Sequence, residues 1–342
     1  MNSERYKEVI GREFPVDPGA LEAREATWEG FRRFALGAGD LNPLWMDKDY
    51  ARQSAMGSVV APPTWLFSVD NTTAAATSLG DTGERLFTDR EVLLGAVEWI
   101  FDLPIVEGIT LSVTRKLVSV QKKPSRAYGE IYISDGETAF YDQQVRRLAK
   151  ANCTIIWRQG GAAAVAAYQP APEADFIHPD DAAARVKRRG SVPLFWEDVA
   201  IGDEIPHLQK GTLTQLEMTR WFGLARGLPR ERRSDRLRWH FDPEAARASN
   251  MPTSFDEGPQ RTTWMAQAIT DWMGDLGRLV RLKSQIQKVN FLGYTSVVRG
   301  TVTGKEQAGG QNLATLDIWV ENHLGETTAR SEAAVILPAV PK

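Results

Sequence analysis

The sequence predicts an α+β protein built twice over, each copy a long helix wrapped by an antiparallel β-sheet. Three observations carry that reading: a weak repeat between the two halves, a helical segment running from proline to glycine in each half, and a switch to alternating, β-branched runs after it. With 342 residues, 42% of them apolar and 25% charged, the chain is long enough to bury two real cores. Lys plus Arg total 41 against 44 Asp plus Glu, a near balance that removes the cationic field nonspecific nucleic-acid binding needs. The single cysteine, Cys153, makes neither an internal disulfide nor a cysteine-rich zinc cage, and the four histidines are scattered. Metal catalysis is therefore disfavoured, and a reducing compartment suits the thiol. The N-terminus is charged from its fourth residue, and no apolar run approaches the roughly 18 residues of a membrane span. The chain reads as cytoplasmic, with neither nucleic acid nor membrane as partner.

The stretch from Gly160 to Asp175 combines small residues and prolines with almost no large side chain to bury, and residues 176–190 are charged and weakly periodic. The expected division is a first domain over 1–159, a linker over 160–190 and a second domain over 191–342. A shift of 195 residues places Asp40, Asp47, Ala51, Arg52, Ser54 and Met56 on Asp235, Asp242, Ala246, Arg247, Ser249 and Met251. Duplication of one domain follows. In each half an amphipathic stretch, Trp28 to Leu36 or Leu216 to Ala225, leads to the acidic motif. A longer helical segment comes next, Pro62 to Leu79 or Pro259 to Met273, stopped by Gly80 or Gly274. Runs such as ITLSVTRKLVSV, SVVRGTVTG and ATLDIWVEN then alternate, with Ser134-Asp135-Gly136 read as a turn between strands.

Chemistry-bearing residues concentrate in the second half. Asp235 stands five residues before His240. On an irregular segment the two could converge on one water as a general acid and base near neutral pH. The same spacing also suits a surface aspartate in an arginine-rich loop beside a partly buried structural histidine. Further along, Glu257-Gly258-Pro259 opens the long helix, and backbone N–H groups at a helix start can stabilise a developing oxyanion; Gly258 equally suits an ordinary turn. An acid/base pair beside an oxyanion site fits addition or removal of water next to a thioester carbonyl.

These motifs resemble the MaoC-like dehydratases, the R-specific enoyl-CoA hydratases of hot-dog fold, and in particular two-domain members with a degenerate N-terminal copy. The family pattern reads Asp-x-Asn-Pro-x-His, then a Gly-containing turn into the central helix. The resemblance extends over most of the chain and implies a double hot-dog. It assigns Asp235 and His240 as the catalytic pair and Gly258 as the backbone oxyanion donor. It further implies an acyl-CoA thioester as substrate, no cofactor, and a reaction interconverting 2-enoyl-CoA and 3-hydroxyacyl-CoA. The first copy keeps Asp40, Asn42 and Pro43 but has Trp45 where the histidine belongs, and Ala61-Pro62-Pro63-Thr64 in place of the His-Gly turn. An indole cannot accept a proton from water at neutral pH, so that copy is expected to be silent. The second copy departs too: Leu237 and Arg238 replace Asn and Pro, and Glu257 replaces the turn histidine.

His178, His207 and His323 have no motif partner and are expected to be solvated. The arginines from 230 to 238 suit either a solvated face or the phosphates of a nucleotide. Trp221, Trp239, Trp264 and Trp272 suit the core first and an acyl pocket second. Two rival readings stay open, an inactive acyl-CoA-binding subunit and a thioesterase of the same fold, and pairing of two chains into a homodimer is left open.

Overall fold

The computed structural model describes residues 5–80, 82–126, 129–159, 168–226, 238–248 and 250–341. Ten strands form one antiparallel sheet: β1 (Glu13–Pro15), β2 (Glu91–Phe101), β3 (Ser112–Ser125), β4 (Gly129–Tyr141), β5 (Arg147–Arg158), β6 (Leu208–Thr212), β7 (Arg278–Ile286), β8 (Thr295–Ala308), β9 (Gln311–Asn322) and β10 (Thr327–Ile336). Their order, β1-β3-β4-β5-β2-β7-β10-β9-β8-β6, reads the same outward in both directions from the β2–β7 seam. Each half is thus a five-stranded meander of identical connectivity, as the repeat implied. At the seam Val97 faces Ser284 and Trp99 faces Leu282, all fully buried.

Alternation explains which face of each strand is inward. On β9 the inward set is Ala314, Leu316, Ile318 and Val320, and on β5 it is Ala151, Cys153, Ile155 and Trp157, each at most 1% exposed. The β9 face packs on the helix Gly258–Met273, whose residues from Pro259 onward are all buried, while Ile155 and Trp157 of β5 pack with Ala76 and Leu79 of the first copy. That helix carries many polar side chains for so dry a place. Thr262, Thr263 and Thr270 answer this by donating to carbonyls of their own helix, at 3.2, 2.9 and 3.0 Å. Gln267 instead accepts from Lys210 Nζ at 3.0 Å. The same ammonium caps the helix Trp28–Ala38 through the carbonyls of Ala38 and Gly39, tying the two copies together.

The first copy does not repeat the long helix expected over Pro62 to Leu79. It has a 3₁₀ turn, Pro63–Ser68, and a four-residue helix, Ala74–Thr77. Asp70, buried between them, forms a two-point ion pair with Arg115 on β3, and Thr73 donates to Asn71 at 2.8 Å. Local side-chain bonds and a buried carboxylate held by the sheet outcompete helical continuation. A second expectation fails nearby, because Ser134-Asp135-Gly136 lies inside β4 and is no turn. The glycine is there for close approach: a Cβ at Gly136 would stand 2.3 Å from Ala75 C and Ala76 N. Ser134 seals the same contact by donating to the carbonyl of Ala76 at 2.6 Å.

The stretches that precede the two acidic motifs also meet. Trp28–Ala38 packs against Gln215–Arg220 and its π-helical continuation Trp221–Ala225, where Gly37 leaves no room for a Cβ, 2.6 Å from Ala225 N. The segment from Tyr168 to Gly190 lies against the second copy, with Tyr168 donating to the carbonyl of Leu292 and Ile177 to Thr212 Oγ1. Among the described residues no helix is long and apolar enough to cross a membrane.

The packing of Gly136 gives a stability test. Gly136→Val should lower the free energy of unfolding by about 1–3 kcal/mol or more, the range for overpacking, read as a shift in urea midpoint. Gly223→Ala, where a Cβ meets nothing within 4 Å, should stay within about 0.5 kcal/mol of the parent.

Candidate active site

The second motif begins, among the described residues, with the turn Arg238–Phe241 and the helix Pro243–Ala248. Asp242 heads that helix, its Oδ1 accepting from the N–H groups of Glu244 and Ala245 at 2.9 and 3.3 Å. Its counterpart Asp47 caps Lys48–Gln53 in the same way, and Ala51 and Ala246 are both completely buried behind the caps. The matching acidic positions thus have a structural role in both copies. Arg238, where the family pattern has proline, is exposed and pairs with Asp242 at 3.0 Å. Asp235 and Leu237 lie outside the described residues, as does the arginine run up to Arg238.

His240 is 7% exposed, with Nδ1 2.8 Å from the carbonyl oxygen of Phe255. A carbonyl only accepts, so Nδ1 carries the proton and the lone pair of the neutral ring sits on Nε2. Phe222, Phe255 and Trp239 surround the imidazole, with ring centroids 5.4, 4.7 and 6.0 Å away. Burial among these rings pushes the imidazole below its ordinary pKa of 6.5, against the opposing pull of the Glu257 carboxylate. The ring is therefore held neutral, as a base must be.

The turn that supplies the Phe255 carbonyl is pinned from both sides. Asp256, buried, accepts from Asn290 Nδ2 at 3.0 Å and pairs with Arg261 Nε at 3.0 Å. Burial pushes its carboxyl up to about 6 in spite of that guanidinium. Arg261 in turn donates to the carbonyls of Lys288 and Thr328, both at 2.7 Å, fastening the helix entrance to the sheet. Glu257 accepts from Trp221 Nε1 at 2.9 Å and from Arg226 Nε at 3.0 Å. Arg226 also donates to the carbonyl of Phe67 in the first copy, at 2.5 Å, so this carboxylate anchors the seam between copies.

Gly258 is the first residue of the central helix and follows Phe255 by three positions. A Cβ there would stand 2.9 Å from Leu94 of β2 and 3.0 Å from Ile286 of β7, so both copies close on the helix start. Among the described residues no acceptor engages its N–H. The structure thus brings His240 and Gly258 to one turn. Asp256, Arg261 and Arg226 are site-building residues that spacing did not reveal; the only local sign was a carboxylate and a guanidinium flanking the helix start.

The first copy presents the same frame with different chemistry. Asp40 is buried, Oδ1 accepting from the N–H of Asn42 and Oδ2 from Trp45 Nε1, both at 3.0 Å. The indole occupies the carboxylate, and burial raises the Asp40 pKa. Pro62 and Pro63 stand at the entrance that Glu257 and Gly258 form in the second copy, and a proline has no N–H to offer an oxyanion. Of the tryptophans in the second copy, Trp221, Trp264 and Trp272 are core residues and Trp239 is half-buried against Phe255. His178 and His207 are exposed as expected. His323 is not fully solvated: its ring packs 4.9 Å from Tyr294 and Nε2 lies 2.9 Å from the carbonyl of Gln169.

Comparison with known proteins bears on the fold and the family. Residues 9–151 match the family described as FAS1-like, dehydratase domain region. A UPF0336 protein of Streptomyces griseus is 32% identical over 112 residues, 33% of this chain and 71% of that relative. Another, from Streptomyces avermitilis, is 28% identical over 133 residues, 37% of this chain and 84% of the relative. Among solved structures, a MaoC-like dehydratase superposes with TM-score 0.70 at 19% identity, over 98% of this chain and all of the other. A conserved hypothetical protein of Mycobacterium tuberculosis described as a double hotdogfold superposes with TM-score 0.60 at 12% identity, covering 97% of each chain.

The environment of His240 is open to a direct measurement. Its imidazole proton resonances should titrate with a midpoint below 6.5, and Glu257→Gln should lower that midpoint further by removing the charge that favours the imidazolium. A midpoint at or above 6.5 in the parent protein contradicts the buried, neutral ring.

Proposed function

We propose, from the premise that this chain belongs to the family of the UPF0336 proteins and shares the double hot-dog fold of the MaoC-like dehydratases, that it is a hydro-lyase acting on acyl-CoA thioesters. It interconverts 2-enoyl-CoA and 3-hydroxyacyl-CoA, with R configuration at the hydroxylated carbon. The observation that carries the reading is His240, locked through Nδ1 onto Phe255 with Nε2 left as the basic atom, three residues of backbone from the N–H of Gly258.

In the hydration direction the thioester oxygen accepts a hydrogen bond from Gly258 N–H, assisted by the positive end of the central helix dipole. That polarises the C2=C3 bond. His240 Nε2 takes a proton from a water molecule shared with Asp235 as the water oxygen bonds to C3. The π electrons pass to the thioester as an enolate, which the Gly258 N–H stabilises. A proton then returns to C2 through the same pair, so that one water is added and no redox change occurs. Dehydration runs the steps in reverse. The first copy has no part in proton transfer, since Trp45 engages Asp40 and Pro63 lacks a donor.

A panel of 2-enoyl-CoA substrates, from crotonyl-CoA to long and ring-bearing chains, tests the proposal by loss of the conjugated enoyl absorbance. His240→Gln and Asp235→Asn should each lower kcat/KM by about 100 to 10,000-fold, the usual worth of general acid–base catalysis, with the circular dichroism spectrum unchanged. In the parent enzyme kcat/KM should rise with pH as His240 loses its proton, with a midpoint below 6.5. Release of free CoA thiol without hydration would assign the thioesterase reading instead, and near-normal turnover by both variants would remove this site.

A further inference from the structure

Ahead of β2 the first copy holds an open cavity of about 730 Å³, within the range of about 300–1,000 Å³ typical of pockets for drug-sized ligands. Its base is apolar: Leu79, Leu86 and Phe87 are buried in the cluster that also holds Trp157, with Tyr132 packed against it. Backbone bonds brace the wall. The N–H of Leu79 donates to the carbonyl of Glu84 at 2.7 Å and that of Leu86 to the carbonyl of Thr77 at 2.9 Å, which fixes the backbone that carries Glu84 and Arg85.

The charged side chains of the lining differ in what they can still do. Arg90 is buried, its guanidinium 4.5 Å from the centre of the Tyr132 ring and donating to the carbonyl of Glu130 at 3.1 Å, so it holds the floor together. Arg85 is half-buried and lies over the Trp157 ring at 5.3 Å. Arg5 and Glu84 pair at 2.5 Å with side chains 41% and 54% exposed. A pair so open contributes little, so a more highly charged anion can take the guanidinium from Glu84. Asp89, also exposed, adds a second carboxylate to the lining.

This mixture of signs discriminates between ligands. A bare polyanion would meet Arg5 and Arg85 but be repelled by Glu84 and Asp89, and an alkyl chain would answer none of the four. A nucleotide suits both signs: its phosphates accept from the arginines, and its ribose hydroxyls or base amino group donate to the carboxylates. Position narrows the choice. Arg90 stands four residues before Leu94, the β2 side chain that closes on Gly258, a separation of about 13 Å at the rise of an extended strand. The pantetheine arm of a CoA thioester spans about 15 Å from sulfur to the nearest phosphate when extended, at roughly 1.2 Å per bond. A thioester held at Gly258 therefore has its phosphates within reach of this cavity. We propose, resting on the acyl-CoA reading above, that the cavity binds the adenosine 3′,5′-bisphosphate half of the substrate, with phosphates on Arg5 and Arg85. The copy without a proton-transfer pair thereby holds the far end of the thioester.

The probe is adenosine 3′,5′-bisphosphate, titrated into the full-length protein by calorimetry. Saturable binding with a Kd between about 10 µM and 1 mM is expected. Pyrophosphate, which has the charge without the hydroxyls and amino group, should bind at least about tenfold more weakly. Arg85→Ala and Arg5→Ala should each raise the Kd for the bisphosphate about fivefold or more. Arg5 is the exposed position, which keeps the test sound should Arg85→Ala disturb the packing on Trp157. Saturating bisphosphate should also weaken the binding of free CoA and leave that of pantetheine unchanged. Absence of binding up to about 10 mM overturns the proposal. So does pyrophosphate binding as tightly as the nucleotide, an unchanged Kd in both variants, or bisphosphate and CoA binding without competition. All of these are binding measurements, so a failed hydratase assay leaves them standing and their failure leaves the hydratase assignment standing.

Discussion

The antiparallel pairing of β2 with β7 is the constraint on which the rest of the molecule depends. It joins two meanders into one sheet, with Trp99, Leu282, Val97 and Ser284 buried in the join and Arg281 reaching across it to Glu98. Each strand also delivers an end to a site. Leu94 of β2 and Ile286 of β7 close on Gly258, while Phe101 of β2 and Leu279 of β7 line an apolar cavity beside Met273, at the other end of the central helix. A fault in the seam would therefore reach the helix start and that cavity together.

Duplication allowed the two copies to diverge in complementary ways. The second copy keeps one long helix and buries it entirely, which needs back-bonded threonines and the Arg261 links to make its polar residues tolerable. The first copy breaks its helix at Asp70 and lays the short helix Ala74–Thr77 on its own sheet through Gly136. Trp45 and Asp40 satisfy one another there, so the position is closed as a hydrogen-bonded wall. Arg226 and Lys210 then knit the copies, each bridging a carbonyl of the first copy to a side chain at the central helix of the second.

Local signals in the sequence proved legible where they act locally. Gly274 ends the central helix at positive φ, as a glycine after a helical run is free to do. The strands after each helix follow from their alternation. Ser134-Asp135-Gly136 was misleading for the opposite reason: a glycine that permits a turn also permits a helix backbone to press on a strand, and only the packed neighbour tells which. The break after Pro63 was hidden in the same way, since the force that ends the helix is Arg115, distant in sequence from Asp70.

By itself the sequence determined the double α+β plan, the glycine that ends the central helix and the replacement of histidine by Trp45 in the first copy, because these rest on residue type, period and near-neighbour chemistry. Tertiary structure alone decided the tautomer of His240, the hold of Asp256 and Arg261 on the turn, and the existence of the cavity beside Met273. Those depend on which carbonyl, guanidinium or apolar wall arrives from elsewhere in the chain, and burial then sets how strongly each is felt.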